Sequence, residues 1–534
     1  MVFTLHRYIF RELMKVFLLA AVALTLMMSL GSILRPVQEY GVGPRQVIHL
    51  MGYFLPITLT FVLPMAALFA AALVYGRFAS DNELDACRAS GVSLFTLVYP
   101  GLALAIMVAI ANLILSFHVM PSFVQRAEKS LKADAKQIIF RNIQRKGYYK
   151  PSDGRYLIYA DHADLQNSIL SGVVITEIEN LEINKIITAE TAKIKFNPHK
   201  RFNDVQITAY NTYQMGSENE PGFSMERLSV TKEFASLMVD DVKFKKIDKI
   251  KDIVQNPMLF SPIEKLALNV YAQFTAELIS QDINAKLTEG TNSFYVLHTG
   301  QKVVKFTADN CVVQDESKIE VSGNVTVIEH DTESKVPVRT LQCTKALLYI
   351  EGDELAPTLT MEIYNPTWRE TGGAKGVAIG RTRIYGLILP KAVTDKFKTE
   401  NILELVSPAS TALSFKKKPS DKLVALQYNL LKKIQKTLTE IKAEMHSRLV
   451  FGIGCVPLIM IGIGLGIIKK GDHLLSAFGT SSLPAAILIV CIMMGKNIAN
   501  NQNSQAGSGI LLMWAGLVFM FMLVTLIYQK LLKN

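Results

Sequence analysis

The feature that most limits how this chain can fold is the placement of its long apolar runs. They crowd before about residue 120 and after about residue 449, and a polar, charged stretch separates them. A membrane-spanning helix takes about 20 apolar residues, because about 30 Å of hydrocarbon is crossed at about 1.5 Å per residue. Six segments meet that requirement: 16–34, 52–74, 94–119, 449–468, 474–494 and 510–528. The second holds Pro56 and Pro64, which a bundle tolerates when neighbours re-satisfy the freed carbonyls. The fifth, with Ser476, Thr480, Ser481, Ser482 and Pro484, is more polar and is expected to face protein or a cavity. Half of all residues are hydrophobic and mean hydropathy is +0.25, too apolar for a wholly soluble chain.

Basic residues orient the spans. With the N-terminus inside, the inner ends carry Arg7, Arg11, Lys15, Arg77, Arg88, Lys469, Lys470, Lys530 and Lys533. The short outer loops carry only Arg35, Arg45 and Lys496. Both termini are therefore expected in the cytoplasm and the middle domain outside it. No cleavage site follows the first apolar run, so it reads as an uncleaved span. Phe3, Tyr8, Ile9, Phe10, Leu13 and Met14, interleaved with Arg7, Arg11 and Lys15, predict a helix that begins in the interface plane.

Charge and motifs exclude several classes of function. The net charge is +11, yet the cations are scattered with short clusters such as Lys416-Lys417-Lys418, and no nucleic-acid module is present. A basic balance also suits a protein beside anionic lipid. No GxxxxGK[ST], HExxH or GxSxG occurs, and the nine histidines show no metal-ligand spacing, so neither catalysis nor a cofactor is expected. The five cysteines lack CxxC spacing. Cys311 and Cys343 fall in the middle domain, either as small core residues or as a disulfide pair.

Between about residues 146 and 389 the hydrophobic period becomes two, the signature of strands with one buried face. Residues 318–322 alternate, Gly323-Asn324 intervenes, and 325–327 resume, which predicts strand, turn, strand. Similar runs occupy 156–160, 172–178, 186–196 and 358–364. A weak repeat relates 187–194, 306–313 and 341–348, each with small residues at its third or sixth position between larger apolar ones. Cys311 takes the place of Ala192 and Cys343 that of Ala189. Two helical passages follow other signals. Ser261-Pro262-Ile263-Glu264 predicts a capped helix, and Ser420 is placed to cap another that runs into the fourth span.

The loop between spans two and three, Arg77 to Ser93, stands apart. Ser80 is placed to cap a short helix with acids in its first turn, ended by Gly91. Such a helix either turns the chain and caps the bundle, or gives a soluble partner something to grip. The run Glu83-Leu84-Asp85-Ala86-Cys87-Arg88-Ala89-Ser90-Gly91-Val92-Ser93 resembles the coupling-helix signature of the LptF/LptG (YjgP/YjgQ) permease family. Glu444-Met445-His446-Ser447-Arg448-Leu449, leading into the Gly- and Pro-containing fourth span, is a second resemblance. The three-plus-three layout around an outside β-domain agrees with both.

The resemblance implies a permease subunit of an ABC transporter, without ATPase activity of its own. Its implied partners are a second, homologous permease, two copies of a cytoplasmic ABC ATPase and a periplasmic β-jellyroll bridge. Its implied cargo is lipopolysaccharide or a related acidic glycolipid, extracted from the bacterial inner membrane towards the outer one. Glu83, Leu84, Asp85, Arg88 and Gly91 would receive the ATPase stroke, the first and fifth spans would line the lipid gate, and Arg35 and Arg45 would meet acidic headgroups. A mechanotransmitting or scaffold protein that moves no lipid is the alternative. The expected fold is a six-helix membrane bundle with an inserted extracytoplasmic β-jellyroll-like domain and helical insertions. Its parts are an N-terminal membrane half (1–125) with the coupling helix at about 80–91, a periplasmic domain (126–400) with a helical insertion at about 261–290, a helical connector (401–448) and a C-terminal membrane half (449–534).

Overall fold

The computed structural model describes the chain except residues 1, 41–43, 134, 151–155, 180–181, 199–202, 216–222, 235–240, 289–292, 300–301, 316–317, 332–336, 354–355, 371–374, 378–380, 398–400, 416, 469–473, 502–505 and 534. The chain divides into two compact units, residues 1–251 with 436–534, and residues 252–435. That division cuts through the 126–400 segment.

The N-terminal helices are α1 (Val2–Tyr40), α2 (Pro44–Ser80), α3 (Glu83–Ala89), α4 (Leu94–Ile114), α5 (Met120–Ala133) and α6 (Ala135–Lys146). A π-helical turn, Leu115–Val119, joins α4 to α5. Next come α7 (Ile247–Gln255), α8 (Ser261–Leu287), the short α9 (Lys391–Thr394), α10 (Ile402–Leu405) and α11 (Pro408–Ser414), then α12 (Asp421–Ile468), α13 (Leu474–Asn500) and α14 (Ala506–Lys533). Among the described residues, six helices are long and apolar enough to cross a membrane: α1, α2, α4 with its extension, α12, α13 and α14. The predicted interfacial helix is no separate element. It is the start of α1, with Ile9 and Leu13 buried in the bundle and Phe3 and Tyr8 exposed.

The end of α12 stands at the centre of the bundle. A Cβ on Gly462 or Gly466 would strike Leu68 and the Ala72 carbonyl of α2, and one on Gly464 would strike Ile527 of α14. Gly452 faces Leu113 of α4 and Gly454 faces Leu488 of α13. Missing side chains let these helices approach, so the glycines of the fourth span serve packing within this chain.

The first unit also carries an antiparallel sheet in simple order, β1 (Tyr148–Tyr149), β2 (Tyr156–Asp164), β3 (Ile169–Glu179), β4 (Glu182–Pro198), β5 (Asn203–Met215) and β6 (Phe223–Phe234). Ile139, Phe140 and Ile143 of α6 pack on its face against Ala160, Ala163, Leu170, Ala189, Ala192 and Ala209. Buried positions on neighbouring strands are three apart, not two: Ala160 and Ala163, Leu170 and Val173, Ala189 and Ala192. Between them runs a transverse kink through Asp161, Gly172, Glu190 and Asn211, where Gly172 has φ +60° and Asn211 φ +50°. An extra residue restores the same face after the kink.

The second unit holds β7 (Tyr295–His298), β8 (Lys302–Thr307), β9 (Asn310–Asp315), β10 (Lys318–Asp331), β11 (Pro337–Asp353), β12 (Ala356–Tyr364), β13 (Thr367–Glu370), β14 (Lys375–Val377) and β15 (Arg381–Ile388). β10 pairs with β11 on one edge and with β9 and then β8 on the other. Because β11, β12, β15, β7 and β8 lead back to β10, the sheet closes on itself around Val304, Phe306, Ile319, Val321, Val327, Met361 and Ile363. Closure removes edges that would otherwise recruit other chains. The kink recurs here. A Cβ on Gly323, at φ +100°, would strike Asp309 just as one on Gly172 would strike Asp161. The sequence repeat therefore marks where two sheets bend in the same way.

Two local expectations change and a third holds. Gly323-Asn324 makes no turn: β10 runs through as one strand with a bulge, held by the Asn324 N–H on the Asp309 carboxylate at 2.9 Å. A positive-φ glycine serves a bulge as well as a hairpin, so the sequence did not distinguish them. Ser261 lies inside α8, and Phe260 takes the N-cap position without a side-chain cap. Ser420 does cap α12, accepting from the Leu423 N–H at 3.1 Å, and α12 continues unbroken into the fourth span.

Cys311 and Cys343 are free. They lie on β9 and β11, on opposite sides of β10 and opposite Val321 and Val325 of it, so they are more than two strand spacings, about 9.6 Å, apart and beyond the reach of a disulfide at about 7 Å. Burial pushes the Cys311 thiol up to about 12, whereas Cys343 is only half-buried. Iodoacetamide is expected to label native Cys343 well before Cys311. A cross-linked peptide joining the two in non-reducing mass spectra would disprove this arrangement.

Candidate functional site

The loop singled out by sequence is well defined. α2 runs through Ser80, and Asn82, not Ser80, takes the N-cap position of α3, with φ 58° and no side-chain cap. At the other end the Gly91 N–H reaches the Arg88 carbonyl at 2.9 Å and the Val92 N–H reaches Cys87 at 3.1 Å. With Gly91 at φ +85°, these two bonds form a Schellman motif, which needs a residue without a Cβ penalty there. Ser93 then caps α4 by accepting from the Thr96 N–H.

α3 is anchored through its apolar side. Leu84 is 4% exposed and belongs to the apolar cluster that includes Phe78 and Leu94, and Cys87 and Val92 lean on the same cluster. Glu83, Asp85, Ala86, Arg88 and Ala89 face outwards. Leu84 thus fixes the helix, while Glu83, Asp85 and Arg88 present a polar face. The frame on either side is braced by α1. Glu12 pairs with Arg77 at 3.2 Å at the end of α2, and Tyr8 stacks on Phe78. His6 donates to the Thr96 carbonyl at 2.8 Å. That carbonyl is free because Pro100, four residues on, has no N–H.

The same device recurs deeper in the bundle. Pro64 frees the Thr60 carbonyl, and buried Asn112 of α4 donates to it at 2.6 Å. In the π-turn the Met120 N–H bonds Leu115, and Pro121 has none to offer, so the Ser116 carbonyl is left without a backbone donor. Arg448 of α12 supplies it at 3.2 Å.

Arg448 anchors a second constellation. It is 4% exposed, and its Nε donates to Glu444 at 3.0 Å, one turn earlier on α12. Its terminal nitrogens also donate to the carbonyls of Lys243, at 2.8 Å, and Lys245, at 3.4 Å, while its guanidinium lies over the Phe117 ring. Lys496 of α13 pairs with the other oxygen of Glu444, and Trp514 of α14 donates to His446 at 3.3 Å. One turn of α12 thus meets three other helices and the Val242–Phe244 turn. The i,i+4 spacing of Glu444 and Arg448 was visible in sequence, but nothing there signalled Lys496, counted only as a loop cation. The side chains of Arg35 and Arg45 lie outside the described residues.

A six-span bundle divided around β-rich units, with a short polar helix braced between spans two and three, is the architecture of a multi-pass membrane protein. The family model described as lipopolysaccharide export system permease LptF/LptG matches residues 7–280 and 365–530. The chain belongs to that family and is a multi-pass inner-membrane protein. The unmatched segment, 281–364, begins inside α8 and covers β7 to β12. None of the curated proteins matches the chain.

Proposed function

We propose that this chain is the permease subunit of an ABC-type exporter that withdraws lipopolysaccharide, or a related acidic glycolipid, from the inner membrane. In this reading both termini and α3 are cytoplasmic and the β-sheets are periplasmic, in keeping with the distribution of Lys and Arg. A cytoplasmic ATPase dimer grips α3 through Glu83, Asp85 and Arg88, while Leu84 and Gly91 keep the helix in place. A homologous permease completes the lipid path, and the first and fifth spans line its gate. Arg35 and Arg45 meet the acidic headgroups, and a periplasmic β-jellyroll bridge receives the lipid.

The observation that carries this reading, beyond family membership, is the rigid mounting of α3. A helix of 7 residues would fray alone, yet its C-terminal end is tied by a Schellman motif and its one large apolar side chain is sunk in the bundle. Its charged face is exposed and placed to take a push. A gentle detergent pull-down from native membranes tests the reading, with wild type beside Glu83→Lys. An ABC-type ATPase and a glycolipid are expected to copurify with wild type, and the substitution to cut the ATPase about tenfold or more while the lipid stays. If no ATPase accompanies wild type, the exporter reading is wrong and a scaffold role replaces it.

A further inference from the structure

We infer that Arg448 is a positioning residue that carries movement of the membrane helices to the chain returning from the first β-sheet. The inference rests on the exporter reading and adds the route by which a push on the bundle reaches the periplasmic side.

Arg448 brings together groups that are far apart in sequence. Ser116 ends the third span, Glu444 and Arg448 share one turn of α12, and Lys496 belongs to α13. Lys243 and Lys245 lie just beyond β6, and their carbonyls receive the same guanidinium. Four of the five N–H groups of this arginine are thereby used, and its flat face rests on Phe117. Lysine, a point charge with a rotating tip, does not reproduce such a planar fork.

The guanidinium is also needed at this spot. Pro121 and the π-turn leave the Ser116 carbonyl without a backbone donor, and an unpaired buried carbonyl is costly. Separation of α12 from the third span would strand that carbonyl, and separation from the 242–246 segment would break two more hydrogen bonds. The pieces are therefore held to move together. Glu444 keeps the arginine aimed, and Lys496 neutralises the second carboxylate oxygen, extending the link to α13.

The test uses the full-length protein with its copurified ATPase in lipid nanodiscs containing lipopolysaccharide, as wild type, Arg448→Met, Arg448→Lys and the swap Glu444→Arg/Arg448→Glu. Hydrogen exchange at residues 115–120 and 242–246 is expected to quicken about tenfold in Arg448→Met and less in Arg448→Lys. Lipid released per ATP hydrolysed is expected to fall about tenfold in Arg448→Met. The swap keeps the charges but removes the donors to the carbonyls, so it is expected to behave like Arg448→Met.

Unchanged exchange in Arg448→Met would overturn the inference. So would faster exchange with an unaltered lipid-to-ATP ratio, which would leave the arginine a structural tie, or full recovery of the ratio in the swap, which would reduce it to balancing Glu444. Absence of any ATPase from the wild-type sample would sink the exporter reading itself and the transmission with it, an outcome recognisable before any variant is compared.

Discussion

Replacing Gly509 by leucine is expected to lower the thermal midpoint of the detergent-purified protein by about 3–4 °C. Gly509 of α14 lies against the backbone of α13. A Cβ there would meet the Gly495 carbonyl and stand 2.6 Å from the Ala499 nitrogen, and a Cβ on Gly495 would stand 2.6 Å from the Gly509 carbonyl. Both obstacles are main chain and cannot rotate aside, so the helices must part. Overpacking typically costs about 1–3 kcal/mol, and this site belongs at the upper end. Gly507, two residues away on the same helix, has nothing within 4 Å of its would-be Cβ. Gly507→Leu should therefore stay within about 0.5 kcal/mol of wild type. Equal midpoints for the two variants would show that spans five and six do not touch along this line.

The second large effect concerns Glu362 in the closed sheet of the second unit. Its side chain is fully buried, yet Tyr349 and Tyr364 donate to it at 2.8 and 3.1 Å, and Arg383 at 3.0–3.1 Å, with Arg381 at 3.6 Å. Burial works against the charged form, but the hydrogen bonds from Tyr349 and Arg383 and the attraction of Arg383 outweigh it, so the carboxyl sits below its ordinary range. Burial and the neighbouring carboxylate push the Tyr349 hydroxyl the other way, so it remains a donor. Removing both arginines strands a buried carboxylate with only tyrosine donors. Arg381→Met/Arg383→Met should cost about 3 kcal/mol, the low end for breaking a buried pair, since the arginines are themselves half-exposed.

The sign of the pH dependence follows from the lowered pKa. A carboxyl that is more acidic when folded adds stability above its unfolded pKa, about 4.3, and that contribution is lost as pH falls through the folded value. Glu362→Gln should therefore flatten the loss of stability with acid from about pH 4.3 downwards. Trp368 on β13 reports unfolding of this sheet, in a shared Trp514→Phe background. An acid slope as steep in Glu362→Gln as in its parent would show that the carboxyl titrates normally.

The strands illustrate how far local pattern reaches. The runs at 156–160, 172–178, 186–196 and 358–364 all fall in strands, because alternation records one buried face without reference to partners. The repeat of small residues was equally legible, but its meaning was not. Ala189 and Ala192 both face the core only because a kink inserts a residue between them, and the kink is held across strands by the neighbours of Asp161 and Gly172. The same limit applied to Gly323-Asn324, whose local chemistry suits a turn and a bulge alike.

By itself the sequence determined the spans, the β-rich middle and the polar helix between spans two and three, since apolar length, hydrophobic period and a closing glycine are properties of neighbouring residues. Only the tertiary structure decided which group answers each carbonyl that proline frees. His6 meets Thr96, Asn112 meets Thr60, and Arg448 meets Ser116 across 332 positions of chain. An orphaned carbonyl demands some donor wherever it is buried, but the donor's identity depends on which helices pack together, and no local pattern encodes that.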